Sequence, residues 1–363
     1  MQPLNLYEYE ARAREVMEHS AFDYYAGGAN DEISLERNHR AYDEVSLRYR
    51  VLRDASRRDL STAVLGTELE WPVLIAPTAF QRLAHPDGEV AMARAAGNLG
   101  TTMVVSTMAT SSLEQVATEA HRPLWFQLYI FEDRGLTAEL VTRAAAAGYR
   151  ALALTVDAPL CGLRERDVRN AFHLPDHLQV ENLRSAGHGG LPATEGDSGL
   201  AAYITSQFDP ALTWDDVEWL ASLSHMPVLV KGVVHPDDAR LAREHGAAGV
   251  VVSNHGGRQL DTSPATIEAL PEVAEAAGDL AVLVDGGIRR GTDVVKALAL
   301  GAQAVLVGRP ALWGLAVGGQ EGVEHALGLL RQELDLAMGL CGCQTLDEIG
   351  LDLIGRRGIQ DST

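Results

Sequence analysis

Eight short runs of branched and aliphatic residues recur along the chain, and helical patterns alternate with them. This alternation limits the fold more than any other feature. The runs are PVLIAP (72–77), TMVVS (102–106), LWFQLYI (124–130), ALALTVD (151–157), PVLVK (227–231), GVVVSN (249–254), AVLVDGG (281–287) and AVLVGRP (304–310). They are continuously apolar rather than alternating, the pattern of strands buried on both faces of a parallel sheet. Ala/Leu/Glu-rich segments fall at 88–100, 111–120, 135–148, 213–223, 236–246 and 291–301. The second of these opens with a capping box, Ser111 to Glu114, whose hydroxyl and carboxylate satisfy orphaned backbone donors. Several others end in glycine, as helices do. Eight β-α units in series predict a (β/α)8 barrel, an α/β fold, rather than an open sheet.

At 363 residues the chain exceeds the usual barrel of this kind by about a hundred. We read it as one domain, 1–363, with the excess in three places. These are an N-terminal extension (1–70), an insert after the fourth strand (178–212) and a closing C-terminal helix (321–340). The insert is polar, Gly-rich and long, which predicts a mobile lid over whatever the barrel holds.

Composition narrows the function. A formal net charge of −20 argues against nucleic acid, because phosphate contacts need a basic face. No apolar run reaches membrane-spanning length, no apolar leader is evident, and the terminal IQDST is not a peroxisomal address. Three cysteines give no disulfide framework, and the CGC at 341–343 lacks a second pair for zinc, so no metal site is expected. The expectation is a cytoplasmic protein without a membrane or nucleic-acid partner. Lysine occurs only at 231 and 296. Lys296 lies in a helical pattern and reads as a solvent-facing stem, whereas Lys231 closes a buried strand.

In such a barrel the site is built at the C-terminal ends of the strands. Here every end carries polar or special residues. They are Pro77, Thr78 and Ala79, then Ser106, then Gln127 and Tyr129 on one face, then Thr155 and Asp157 on one face. The later ends supply Lys231, Ser253 with His255, Asp285 with Gly286 and Gly287, and Gly308 with Arg309. The seventh and eighth ends are the usual phosphate position. There, DGGIRRG offers backbone N–H groups and Arg289, and GRP offers Gly308 and Arg309. A phosphate at that end, with neutral donors and acceptors at heteroaromatic height on the other strands, fits flavin mononucleotide (FMN). Lys231 would then stabilise the charge that develops near N1 on reduction. No GxGxxG opens a strand–helix unit, so a dinucleotide site of that kind is not indicated. In SNHGGRQLD (253–261), His255 can act as a base near neutral pH and Arg258 can hold a carboxylate bidentately. Gly256 and Gly257 allow a close approach, and Asp157 would stabilise an imidazolium at His255.

These motifs closely resemble the FMN-dependent L-2-hydroxy acid oxidase and dehydrogenase family, which includes glycolate oxidase, lactate oxidase and mandelate dehydrogenase. The matching stretches are FDYYAGGANDE (22–32), IAPTAFQRLAHPDGE (75–89), WFQLYI (125–130), LTVDAP (154–159), SNHGGRQLD (253–261), DGGIRRGTDVVKALALGA (285–302) and GRP (308–310). The resemblance implies His255 as the active-site base, Asp157 as its charge partner, and Arg258, Arg164 and Tyr24 as a carboxylate clamp. It further implies Tyr129 as the phenol that bonds substrate, Lys231 at the flavin N1/O2 edge, and Arg289, Gly308 and Arg309 around the phosphate. It implies a homotetramer and the oxidation of a 2-hydroxy acid to the 2-keto acid. Met108 stands where glycolate oxidases commonly carry Trp. With Ala79 beside the flavin, Cys161 and Ile204, it suggests L-lactate over glycolate. The absence of a long N-terminal domain and the polar insert favour an oxidase using O2. A dehydrogenase with another acceptor, and an oxidase preferring glycolate or longer or aromatic acids, stay open.

Overall fold

The computed structural model describes residues 2–184, 187–191 and 198–356. Its centre is one parallel sheet of eight strands. These are β1 (Val73–Ile75), β2 (Val104–Ser106), β3 (Trp125–Leu128), β4 (Leu152–Thr155), β5 (Val228–Val233), β6 (Gly249–Val252), β7 (Ala281–Asp285) and β8 (Ala304–Val307). From β2 to β8 each strand pairs with the next, and β8 pairs with β1. The circle closes where Ile75 bridges Met103 and its N–H donates to Thr102 O at 3.0 Å. This is the predicted (β/α)8 barrel.

The strands form because their side chains are buried on both faces. The outward set meets the surrounding helices, and the inward set fills the barrel. Inside, small residues (Ala76, Ala151, Ala153, Ala281 and Ala304) leave room for the large ring of Trp125. A hairpin of Thr62–Val64 and Thr67–Leu69 packs beneath it, and Trp125 Nε1 donates to Thr67 Oγ1 at 3.0 Å. This plug seals the N-terminal end and leaves the other end for a site. Truncating Trp125 to alanine would cost about 3–5 kcal/mol, readable as a lowered denaturation midpoint.

Three helices precede the barrel: α1 (Leu6–Val16), α2 (His19–Ala26) and α3 (Ile33–Glu44). They sit against the barrel mouth. Residue Glu32, at the start of α3, makes no side-chain cap. The cap comes instead from Asp261, whose carboxylate accepts from the N–H groups of Asp31, Ile33 and Ser34 at 3.1, 3.4 and 2.8 Å. Asn38 and Asn254 exchange reciprocal amide hydrogen bonds, both at 2.9 Å. A Cβ on Gly287 would lie 1.9 Å from Asn38 O, so the DGG turn needs glycine for this helix to dock.

Several local expectations change. The helix at Leu113–Glu119 is capped by Ser112, which accepts from Gln115 N at 3.2 Å. Ser111 instead donates to the buried Glu89 at 3.0 Å. Lys296 is not a solvent-facing stem: it is buried, and its ammonium donates to Tyr42 O at 2.8 Å. A helix at Thr266–Ala277 was not anticipated. The closing helix begins earlier than predicted, spanning Arg309–Cys341 with a break at Gly318 and Gly319. Cys341 and Cys343 are buried free thiols. In the insert a helix at Gly199–Gln207 lies against the barrel, while residues 185, 186 and 192–197 of the expected lid lie outside the described residues. Among the described residues, no helix is long and apolar enough to cross a membrane.

Candidate active site

The strand ends converge on one cleft of about 1120 Å³, part of it open to solvent. Of the residues singled out at the strand ends and in their loops, all line this cleft except Asp157, Ser253, Gly257 and Cys161. The first two stand behind it and hold residues that do. Cys161 is half-buried and does not line the cleft directly, but it lies next to Tyr24, Tyr129 and Arg164, which do.

The chemistry centres on the loop after β6. His255 has a left-handed backbone, φ +57°, unusual for a residue with a Cβ and costing on the order of 1–2 kcal/mol. The loop is over-determined: the His255 N–H donates to Ser253 Oγ at 3.1 Å, and Ser253 Oγ also accepts from Lys231 Nζ at 3.0 Å. Gly256 follows at φ +65°, where a Cβ would meet Arg309 Nη1 at 2.7 Å. The His255 Nδ1 lies 2.7 Å from Asp157 Oδ1. Asp157 reaches it because β5 bulges at Gly232, where a Cβ would lie 2.6 Å from Asp157 Cβ.

Burial lowers the His255 pKa below its ordinary value, and Asp157 only partly offsets this; Lys231 and Arg164 lower it further. Burial works against the charge on Asp157, but His255 and Lys231 outweigh it and hold the carboxyl below its usual range. Near neutral pH the pair is therefore a neutral imidazole on an ionised carboxylate. The hydrogen bond keeps the proton on Nδ1 and leaves Nε2 as the basic nitrogen.

Two guanidiniums share this end of the cleft. Arg258 donates to Tyr24 O at 2.5 Å and Gly27 O at 2.9 Å, and its Cζ lies 4.9 Å from the centre of the Tyr24 ring. Arg164 donates to Arg258 O at 3.3 Å and Gln259 Oε1 at 3.2 Å. Burial lowers the Arg258 pKa, and the neighbouring Arg164 adds to the effect. Two like charges held together in a cleft are a receptor for a carboxylate. Tyr24 stacks on Phe172 at 4.3 Å, and burial raises its phenol pKa. Burial and Asp157 raise the pKa of Tyr129, which stays a protonated donor.

Around the barrel, register sets a polar ladder. Ser106 lies opposite Gln127, and Thr155 lies opposite Lys231. Gln127 accepts from Ser106 Oγ at 3.2 Å and donates to Thr155 Oγ1 at 3.1 Å. Burial works against the Lys231 charge, but Asp285, 3.2 Å away, and Asp157 hold its pKa above the ordinary value. Thr78 accepts from Gln81 Nε2 at 2.8 Å. Pro77, Ala79 and Met108 complete this side.

At β7 and β8 the character changes. Gly286 and Gly287 have φ of +94° and +81°. Arg289 is buried, and its Nε has no partner among the described residues. Burial lowers its pKa. Arg309 donates to the carbonyls of Tyr25, Gly256 and Gly27 at 2.7, 3.0 and 2.9 Å, leaving two of its five N–H donors for a ligand. Burial, Arg258 and Arg289 together push its pKa down to about 9. A Cβ on Gly308 would meet only Thr78 and Ala76, at 3.5 and 3.6 Å. An orphaned buried guanidinium nitrogen and a side-chain-free wall fit the phosphate of FMN. The ladder and Lys231 fit its heterocycle.

Sequence reasoning missed residues without a strand-end position. Gln259 donates to the carbonyls of Asp157 and Leu160 and accepts from Arg164 and Gly162, tying the β4 and β6 loops together. Its place inside SNHGGRQLD was the available signal. Leu200 and Phe208 lie on the insert and Phe172 in the loop just before it, and all three are apolar, so no local pattern marks them.

The family model for FMN-dependent dehydrogenase matches residues 13–356. An L-lactate oxidase from Nostoc sp. (strain PCC 7120) is 55% identical over 352 residues, covering 96% of each chain. Glycolate oxidase 1 from Zea mays is 51% identical over 346 residues, covering 95% of this chain and 94% of its own. A crystal structure of mandelate oxidase with (S)-4-hydroxymandelic acid superposes with a TM-score of 0.93 at 44% identity, covering 97% of this chain and 98% of the other.

Proposed function

From the premise that this chain belongs to the FMN-dependent dehydrogenase family, and is an FMN enzyme oxidising 2-hydroxy acids, we propose that it is an oxidase preferring L-lactate. The observation that carries the reading is the neutral His255 on Asp157, in one cleft with Arg258, Arg164 and Lys231.

Arg258 and Arg164 hold the substrate carboxylate and fix the C2 carbon beneath them. Tyr129 donates to the substrate oxygen. His255 accepts a proton at Nε2, and the ionised Asp157 stabilises the imidazolium that forms. Conversion of the 2-hydroxy acid to the 2-keto acid releases two electrons and two protons, and O2 takes both to give hydrogen peroxide. FMN, when bound, supplies the two-electron acceptor between them. It would be held by Thr78, Ser106, Gln127, Thr155 and Lys231 around the ring, and by Arg289, Arg309 and the backbone at Gly286, Gly287 and Gly308 around the phosphate. Ser253 and Asp285 set the position of Lys231.

The substituent at C2 meets Met108, Ala79, Leu200 and Ile204, an apolar wall suited to a methyl group. With it goes the expectation of a cytoplasmic homotetramer, whose oligomeric state sedimentation would check.

The test is the absorption spectrum of the purified protein on anaerobic addition of L-lactate, followed by air. Flavin bands that bleach and return with peroxide establish the oxidase. Bleaching without rapid return assigns a different acceptor, and a kcat/KM for glycolate above that for L-lactate overturns the substrate preference.

A further inference from the structure

The Tyr129 hydroxyl has no hydrogen-bond partner among the described residues, although the ring lines the cleft one residue beyond β3. Among the described residues, no polar group aims it. What holds the ring is Phe208, the residue that ends the helix of the insert: the two rings stack at 4.4 Å and 23°.

Phe208 is itself fixed from several sides. Its ring meets Phe131 edge-on at 5.3 Å and 89°. Its backbone bridges Phe131 in antiparallel register. Glu132 N donates to Gln207 O at 3.0 Å, and Asp209 N donates to Ile130 O at 3.2 Å. Arg134 then ties both segments together, donating to Phe131 O at 3.1 Å and to the Asp209 carboxylate at 2.6 Å. The end of the insert is thus stitched to the exit of β3, and the stacked ring is what this stitch presents to Tyr129.

Resting on the functional reading above, we propose that Phe208 is the positioning residue for Tyr129, setting where the phenol hydroxyl points at the bound 2-hydroxy acid. An aromatic plane fixes a second ring in both tilt and offset. A flexible aliphatic chain fills similar space and leaves the phenol free to turn. The role differs from that of a passive pocket wall, because its effect runs through one hydroxyl group.

The experiment is a double-mutant cycle on the holoenzyme, with L-lactate kinetics and flavin content measured for each variant. The variants are Phe208→Leu, Phe208→Met, Tyr129→Phe and the two combinations with Tyr129→Phe. With the hydroxyl present, Phe208→Leu is expected to lower kcat about tenfold, while flavin content stays at the wild-type level. In the Tyr129→Phe background the same change is expected to alter kcat by less than about twofold. Phe208→Met should follow the same pattern and serves if the leucine variant fails to fold. Equal losses in both backgrounds would overturn the inference while leaving an active oxidase in hand. Wild-type protein that oxidises no 2-hydroxy acid would instead overturn the functional reading, and this inference with it.

Discussion

Around His255 and Lys231 the central ionisable groups answer one another: Asp157 faces His255 at 2.7 Å, and Lys231 faces Asp285 at 3.2 Å. In the loops after β7 and β8, Arg289 is buried with Nε unpaired among the described residues, and Arg309 spends three donors on backbone carbonyls. The first end has its protonation states set by the chain alone. The second holds positive charge that burial penalises and that only an anion can relieve. On the proposed reading, chemistry and cofactor retention are separable, and substitutions at the two ends should fail in different ways.

The largest effect should come at the reaction end. Replacing His255 with Gln is expected to lower kcat about 10³-fold while the purified protein keeps its flavin absorbance. Loss of flavin together with activity would break the division. At the other end, Arg289→Met is expected to weaken FMN binding about 10- to 100-fold in a fluorescence titration, as fits the loss of charge-assisted hydrogen bonds. Its kcat at saturating FMN should stay within about threefold of wild type, since no reacting group is touched. A large kcat loss with unchanged affinity would put Arg289 in the chemistry.

A subtler contrast lies in pH. Because His255 must be neutral to accept a proton, kcat/KM should fall as pH drops through a pKa below the ordinary imidazole value. Asp157 raises that pKa, so Asp157→Asn should move the acid limb to still lower pH while reducing the plateau. A limb displaced upward would mean that Asp157 does not act on His255 in this way. Smallest of all, Met108→Trp should shift the ratio of kcat/KM values for glycolate and L-lactate toward glycolate by about tenfold or less. The ratio is set within the cleft, so FMN affinity should not move with it.

The barrel and most of its site were legible because buried parallel strands read as continuous apolar runs, and a polar residue at the end of such a run has few reasons to be there. His255, Lys231 and Arg289 stood out on that logic. What escaped was non-local. Lys296 looked exposed on its own helix, but it is buried and its ammonium donates to Tyr42 O, contributed by the N-terminal extension. The helix at Thr266–Ala277 carries Pro271 inside it, and its first residue follows Ala265 rather than a hydroxyl or carboxylate cap, so neither start nor interior gave the usual signal. At Ser111 and Ser112 two adjacent hydroxyls competed for one cap, and buried Glu89 claimed the first. Phe208 has no polar tag and belongs to the insert, so reading strand ends could not reach it.

The docking of the N-terminal helices also bears on how the chain comes into being. Ser34 is capped by a residue 227 positions later, and Tyr25 meets Arg309 across 284 positions. A nascent chain delivers the extension long before either partner leaves the ribosome. Contacts this distant in sequence place the seating of the extension late and make it slow. A chain still short of Arg309 therefore cannot complete the seating of Tyr25, and the proposed oxidation would begin only on finished molecules.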